Sequence, residues 1–124
     1  MLTITAVIRA KAGREEVVER ALRAVIAEVK ANEPGTVAYF VSRSRDDPTI
    51  FTTFERFEGE AAMTRHNDSR AVADFVAATS DSLDGPVVLH ACRELDAKLP
   101  SRGLLQVPPA SGLSPSRRGA RPRA

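Results

Sequence analysis

Val37-Ala38-Tyr39-Phe40-Val41-Ser42-Arg43 and Ile50-Phe51-Thr52-Thr53-Phe54-Glu55-Arg56-Phe57 are two apolar runs that flank the polar segment Ser44-Arg45-Asp46-Asp47-Pro48. β-Branched and aromatic residues fill the runs, and Ser, Asp and Pro favour turns, so the stretch reads as an antiparallel hairpin. Side chains alternate between the two faces of a strand. Val37, Tyr39 and Val41 fall on one face, and Ala38 and Phe40 on the other. Phe51 and Phe57 oppose Ile50 and Phe54 in the same way. Both faces of the hairpin are apolar, so both need cover.

The flanking segments supply cover for one face only. Leu2 to Ala10 alternates, with Leu2, Ile4, Ala6 and Ile8 on one side, and reads as a strand. After the turn Lys11-Ala12-Gly13, Val18, Leu22, Val25 and Val29 recur at helical spacing, and Val17, Ala21 and Ala24 widen the stripe. Glu15 and Glu16 suit the start of that helix, and Pro34-Gly35 ends it. Gly59 to Asn67 reads as a short helix. Asp68 or Ser69 then caps a second segment with Val72, Phe75, Val76 and Thr79 on one face. Asp84-Gly85-Pro86 breaks it, and Val87 to Glu94 is a last strand. The expected order is βαββαβ, an α+β arrangement with the second helix split. Its helices cover one face of the sheet, and no segment remains for the other. A second copy of the chain would cover it, so a homodimer is expected.

Charge divides the chain differently. Of 124 residues, positions 101–124 hold five Arg and no acid, leaving 13 basic and 16 acidic residues in the first hundred, net −3. The basic pI of about 9.1 therefore comes from the tail and gives no reason to expect nucleic-acid binding. The expected organisation is one domain over 1–96 and a Pro-, Arg- and Ser-rich tail over 97–124, predicted to be disordered. No apolar run is long enough to span a membrane. Met1 to Gly13 lacks signal-peptide features, and the single Cys92 fits a reducing compartment, so a cytoplasmic protein is expected.

Several chemistries have no signature. The glycines form neither GxGxxG nor a P-loop, His66 and His90 lie 24 apart without clustered ligands, and no GxSxG occurs. No metal, flavin or haem is expected. His66 ends a short helix before a break, where its ring can point beneath the helices. A neutral imidazole there could accept a phenolic proton, or simply join the two helices; on spacing alone the structural role comes first. Glu55 shares a face with Phe51, Thr53 and Phe57 and needs a partner such as Arg43. Tyr39, Met63, Val72 and Phe75 read first as core, and His90 and Cys92 receive no task.

Taken in order, Glu33-Pro34-Gly35, Tyr39, Arg45-Asp46-Asp47-Pro48, Phe54-Glu55-Arg56-Phe57, Ala61-Ala62, His66 and Ser69 resemble the antibiotic biosynthesis monooxygenase (ABM) domain, over roughly residues 2–95. The resemblance implies a ferredoxin-like fold paired into a dimeric α+β barrel. It also implies cofactor-free oxygenation of a quinol or related electron-rich aromatic by O₂. It makes His66 the first-choice base, with the substrate between helices and sheet and Tyr39, Phe54, Met63, Val72 and Phe75 as its walls. Two departures bear on this. Many relatives carry a second His where this chain has Ala71, and the Asn and Trp of haem-degrading members are missing from the first strand and from the whole chain. A non-catalytic dimer that binds a small ligand is the alternative.

Overall fold

The computed structural model describes residues 1–100. The tail expected over 97–124 lies, from residue 101, outside the described residues. Elements run β1 (Leu2–Arg9), α1 (Glu15–Asn32), β2 (Thr36–Arg43), β3 (Ile50–Phe57), α2 (Glu60–Asn67), α3 (Arg70–Thr79) and β4 (Val88–Arg93). The strands form one antiparallel sheet in the order β2-β3-β1-β4. This is the expected ferredoxin-like βαββαβ order with the second helix in two pieces. None of the described helices is long and apolar enough to cross a membrane.

The sheet's inner face carries two apolar clusters. Ile8, Ala10, Val18, Leu22 and Phe51 form one, and Ile4, Phe57 and Ala62 the other. The register sets Glu55 between Ile4 and Tyr39, and Thr53 between Ala6 and Val41. Small and polar side chains thus separate the two clusters. Helix α1 buries Val18, Ala21, Leu22, Val25 and Val29; Ala24, expected to widen that stripe, is exposed beside α3. Helix α3 packs chiefly on α1 and buries only Thr79, so it stands away from the sheet over Ala6 and Thr53. Ser69 caps α3, its hydroxyl accepting from the Val72 N–H at 3.2 Å. Gly13 and Gly85 have φ of 86° and 88°, where a side chain would be strained, and they mark the turns before α1 and β4.

On the outer face, the register aligns Phe40, Phe54, Thr5 and His90 in one row across the sheet. Phe40 and Phe54 are 58% and 40% exposed, with ring centroids 6.2 Å apart. Val37 leaves the alternation expected for it: the β2–β3 register slips between Thr36 and Ala38, and Val37 lies exposed at the irregularity.

Helix α2 is held by close approach. A Cβ at Gly35 would lie 2.8 Å from the Ala62 Cβ, well inside contact distance. Gly35→Ala should therefore destabilise the domain by about 1–3 kcal/mol through overpacking. Urea denaturation checks this; an unchanged midpoint would mean that α2 does not depend on that approach.

Candidate functional site

Ala62 and His66 stand one helical turn apart on the same face of α2, and both are buried. Seating Ala62 against Gly35 brings the His66 ring down among Tyr39, Glu55 and Phe57 of the sheet. The ring centroids of Tyr39 and Phe57 lie 5.3 Å and 5.5 Å from that of His66. The imidazole is 3% exposed.

Two carboxyl groups flank this ring at opposite edges. Glu33 Oε1 lies 2.9 Å from Nδ1, and Glu55 Oε1 lies 3.4 Å from Nε2. Glu33 is itself fixed in place. It terminates α1, its N–H donates to the Val29 carbonyl, and its Oε1 accepts from the Thr36 hydroxyl at 2.8 Å. A carboxylate at Nδ1 favours the tautomer with the proton on that nitrogen, which leaves the Nε2 lone pair available. Because the two carboxyls approach from opposite sides of the ring, they do not converge on a common point as metal ligands would. Among the described residues no group of three His, Cys, Asp or Glu side chains forms a metal site.

Glu55 is 5% exposed. Burial raises its carboxyl above the ordinary range, while the Thr53 hydrogen bond, His66 and Tyr39 pull the other way. Thr53 Oγ1 donates to Glu55 Oε2 at 2.7 Å. The Tyr39 hydroxyl is pushed far above a phenol's usual value, first by burial and then by the charges of Glu55 and Glu33. Tyr39 therefore stays protonated and serves as a donor.

A cavity of about 200 Å³ opens beside this cluster. Tyr39, Thr53, Glu55 and His66 make its polar end, and Val72, Phe75, Val76 and Leu89 are among its apolar walls. Val76 and Leu89 are more than half exposed and stand at the mouth.

The structure brings His66, Tyr39, Val72 and Phe75 together around this space and sets two expected residues elsewhere. Phe54 points to the outer face, since it alternates with Thr53 and Glu55 and packs on Phe40. Met63 packs against the Ile4–Phe57–Ala62 cluster and does not line the cavity. Glu55 does not pair with Arg43, whose guanidinium reaches Glu16 and Glu19 of α1 at 3.0 Å each. Ala71, at the position of the relatives' second His, faces a groove between α1 and α3 and not the cavity. Glu33 is a site residue that the sequence does not single out: Pro34-Gly35 reads as a helix stop, and only the tertiary fold brings the residue before it to the end of α2.

A carboxyl raised on folding lowers stability as pH rises. Between the ordinary Glu value and the raised one, the folded state holds a proton that the unfolded state has lost. Over that window wild-type protein should lose stability relative to Glu55→Gln as pH increases. Urea midpoints of both proteins across pH 4.5–8 check this; parallel curves would contradict a raised Glu55.

The ABM model, described as antibiotic biosynthesis monooxygenase, matches residues 1–78. Comparison with curated proteins returns no match. Among solved structures, a Pseudomonas aeruginosa protein is 29% identical, with a TM-score of 0.70 over 77% of this chain and 94% of its own. A Nitrosomonas europaea protein of unknown function is 27% identical, with a TM-score of 0.71 over 81% and 94%. A structure named as antibiotic biosynthesis monooxygenase is 19% identical, with a TM-score of 0.70 over 77% of this chain and 100% of its own, and so speaks for the fold alone. With the family model spanning more than half of its length, on a ferredoxin-like fold, the chain belongs to the antibiotic biosynthesis monooxygenase family.

Proposed function

We propose that the chain is a cofactor-independent monooxygenase of a quinol or related electron-rich aromatic, with His66 as its base. The observation that carries this is the His66 ring, buried beside an apolar cavity with Nδ1 held by Glu33 and Nε2 on the side of Glu55. A base oriented by a second group and facing a water-poor space is what phenol deprotonation requires. The phenolic proton passes to Nε2, and the resulting imidazolium lies between Glu33 and Glu55. Tyr39, held in its protonated form, donates to a ligand oxygen. The aryl oxide is a better reductant than the phenol. It supplies the electrons to O₂; one oxygen atom enters the ring, the other leaves as water, and the quinol becomes a hydroxyquinone. The apolar walls supported by Val72 and Phe75 keep bulk water from competing for the anion.

His66→Ala separates this role from a helix-joining one. General-base help is worth roughly 10²–10⁴-fold, so kcat/KM for aerobic quinol oxygenation by metal-stripped protein should fall by that order above the autoxidation blank. Circular dichroism and the thermal midpoint report folding alongside. Near wild-type turnover in a folded mutant would remove His66 as the base. A wild-type protein inert on a quinol panel would favour the small-ligand-binding alternative.

The reading includes a second copy of the chain over the outer sheet face. The exposed, adjacent pair Phe40 and Phe54 supports it, since one chain leaves both rings in water. Light scattering at micromolar concentration should return twice the 13.4 kDa chain mass. Phe40→Glu should shift it toward the monomer. A monomer mass for wild type would end the dimer proposal.

A further inference from the structure

The cavity's size admits a small arene: an engineered apolar cavity of about 150 Å³ holds benzene, and this one is about 200 Å³. Its charge is a separate matter. Glu55, His66 and the protonated Tyr39 are its ionisable lining, and Glu33 stands behind His66. If Nε2 and Glu55 Oε1 share a single proton, the pair is neutral and Glu33 leaves a net charge of −1. Without that proton the charge is −2. Among the described residues, no Lys or Arg lines the cavity. The guanidiniums of strands β2 and β3 are engaged elsewhere. Arg43 is held by Glu16 and Glu19, and Arg56, on the outer face, is paired twice with Glu94 at 2.8 Å. An anionic ligand would therefore lose its hydration in an apolar space, meet like charge, and find no counter-ion among the described lining residues.

We infer that Glu55, backed by Glu33, makes the cavity a charge filter that admits uncharged hydroxyarenes and turns away arenes of the same shape bearing a carboxylate, sulfate or phosphate. This rests on the reading of the cavity as an arene site. Glu55 is its specificity-determining residue: it lies at the wall, and its Oε2 is pinned by Thr53, so it cannot swing away. Conjugated or acid-bearing aromatics would require their charge to be removed, or to project beyond Val76 and Leu89, before the ring could enter.

The test is binding under anaerobic conditions at pH 7, by calorimetry or ligand-observed NMR, with the full chain and no turnover required. The probes are 2-naphthol, 2-naphthamide and 2-naphthoate, which share a ring system and differ in charge. The expected result is binding of naphthol and naphthamide, with naphthoate weaker by on the order of tenfold to a hundredfold, as one unit charge brought against the acidic floor of the cavity would produce. In Glu55→Gln the gap between naphthamide and naphthoate should narrow. Naphthoate binding as tightly as naphthamide in wild type overturns the filter and leaves the arene site standing; this comparison needs no variant. Binding of none of the three overturns both. Selective naphthol binding by a protein that oxygenates no quinol upholds the filter and counts against the oxygenase reading alone.

Discussion

A carboxyl group on the helix-covered face of a β-sheet is the constraint around which this domain is arranged. Glu55 takes an inward register position between Phe57 and Phe51, where an apolar side chain would have joined the two core clusters into one. A buried carboxyl is strongly unfavourable unless its lone pairs are occupied. Thr53 on the same strand answers one oxygen, and His66, lowered from α2, answers the other. The need to satisfy Glu55 explains why a polar seam crosses an otherwise apolar face.

The seam in turn sets the cavity. Ala6 and Thr53 are short side chains opposite each other on neighbouring strands, and they leave room above the sheet. Helix α3 leans on α1 and does not sink into that room. Its Val72 becomes a wall of the cavity, and Phe75 both packs on the Ile8–Phe51 cluster and lines the space. A helix packed as deeply as α1 would have filled the space and left Glu55 without access to anything but His66. The close contact between Ala62 and Gly35 fixes the height of α2, and with it the distance from the ring to both carboxyls.

The positive charges follow a complementary plan. Arg43 spans from β2 to α1, and its guanidinium also lies over the Phe51 ring, 5.2 Å from the centroid. Arg56 is drawn to the strand end by Glu94, which is tied through its N–H to the Met1 carbonyl. Each cation is used to fasten one element to another at the periphery. Neither of these guanidiniums reaches the interior seam, and among the described residues no Lys or Arg lines the cavity beside it.

Much of this was legible in the amino-acid order. The period-two runs fixed β3 as Ile50–Phe57 without error, and the four-three-four spacing of Val18, Leu22, Val25 and Val29 marked the buried stripe of α1. The break at Asp68-Ser69 divided α2 from α3 because a Ser cap must satisfy backbone donors at a helix start. The inward faces of their elements were legible for Tyr39, Val72 and Phe75, and the family resemblance set them with His66 around one space. Local pattern assigns faces, and it therefore should have set Phe54 aside, since it alternates with Glu55. Three things required the folded chain. The pairing of Glu33 with His66 joins residues 33 apart through the return of a loop to the end of α2. The release of Arg43 from Glu55 depends on how α1 lies across the sheet. The cavity exists because α3 stands off, and the distance between two packed layers is a balance of side-chain volumes from every element that meets there, which no single stretch of sequence contains.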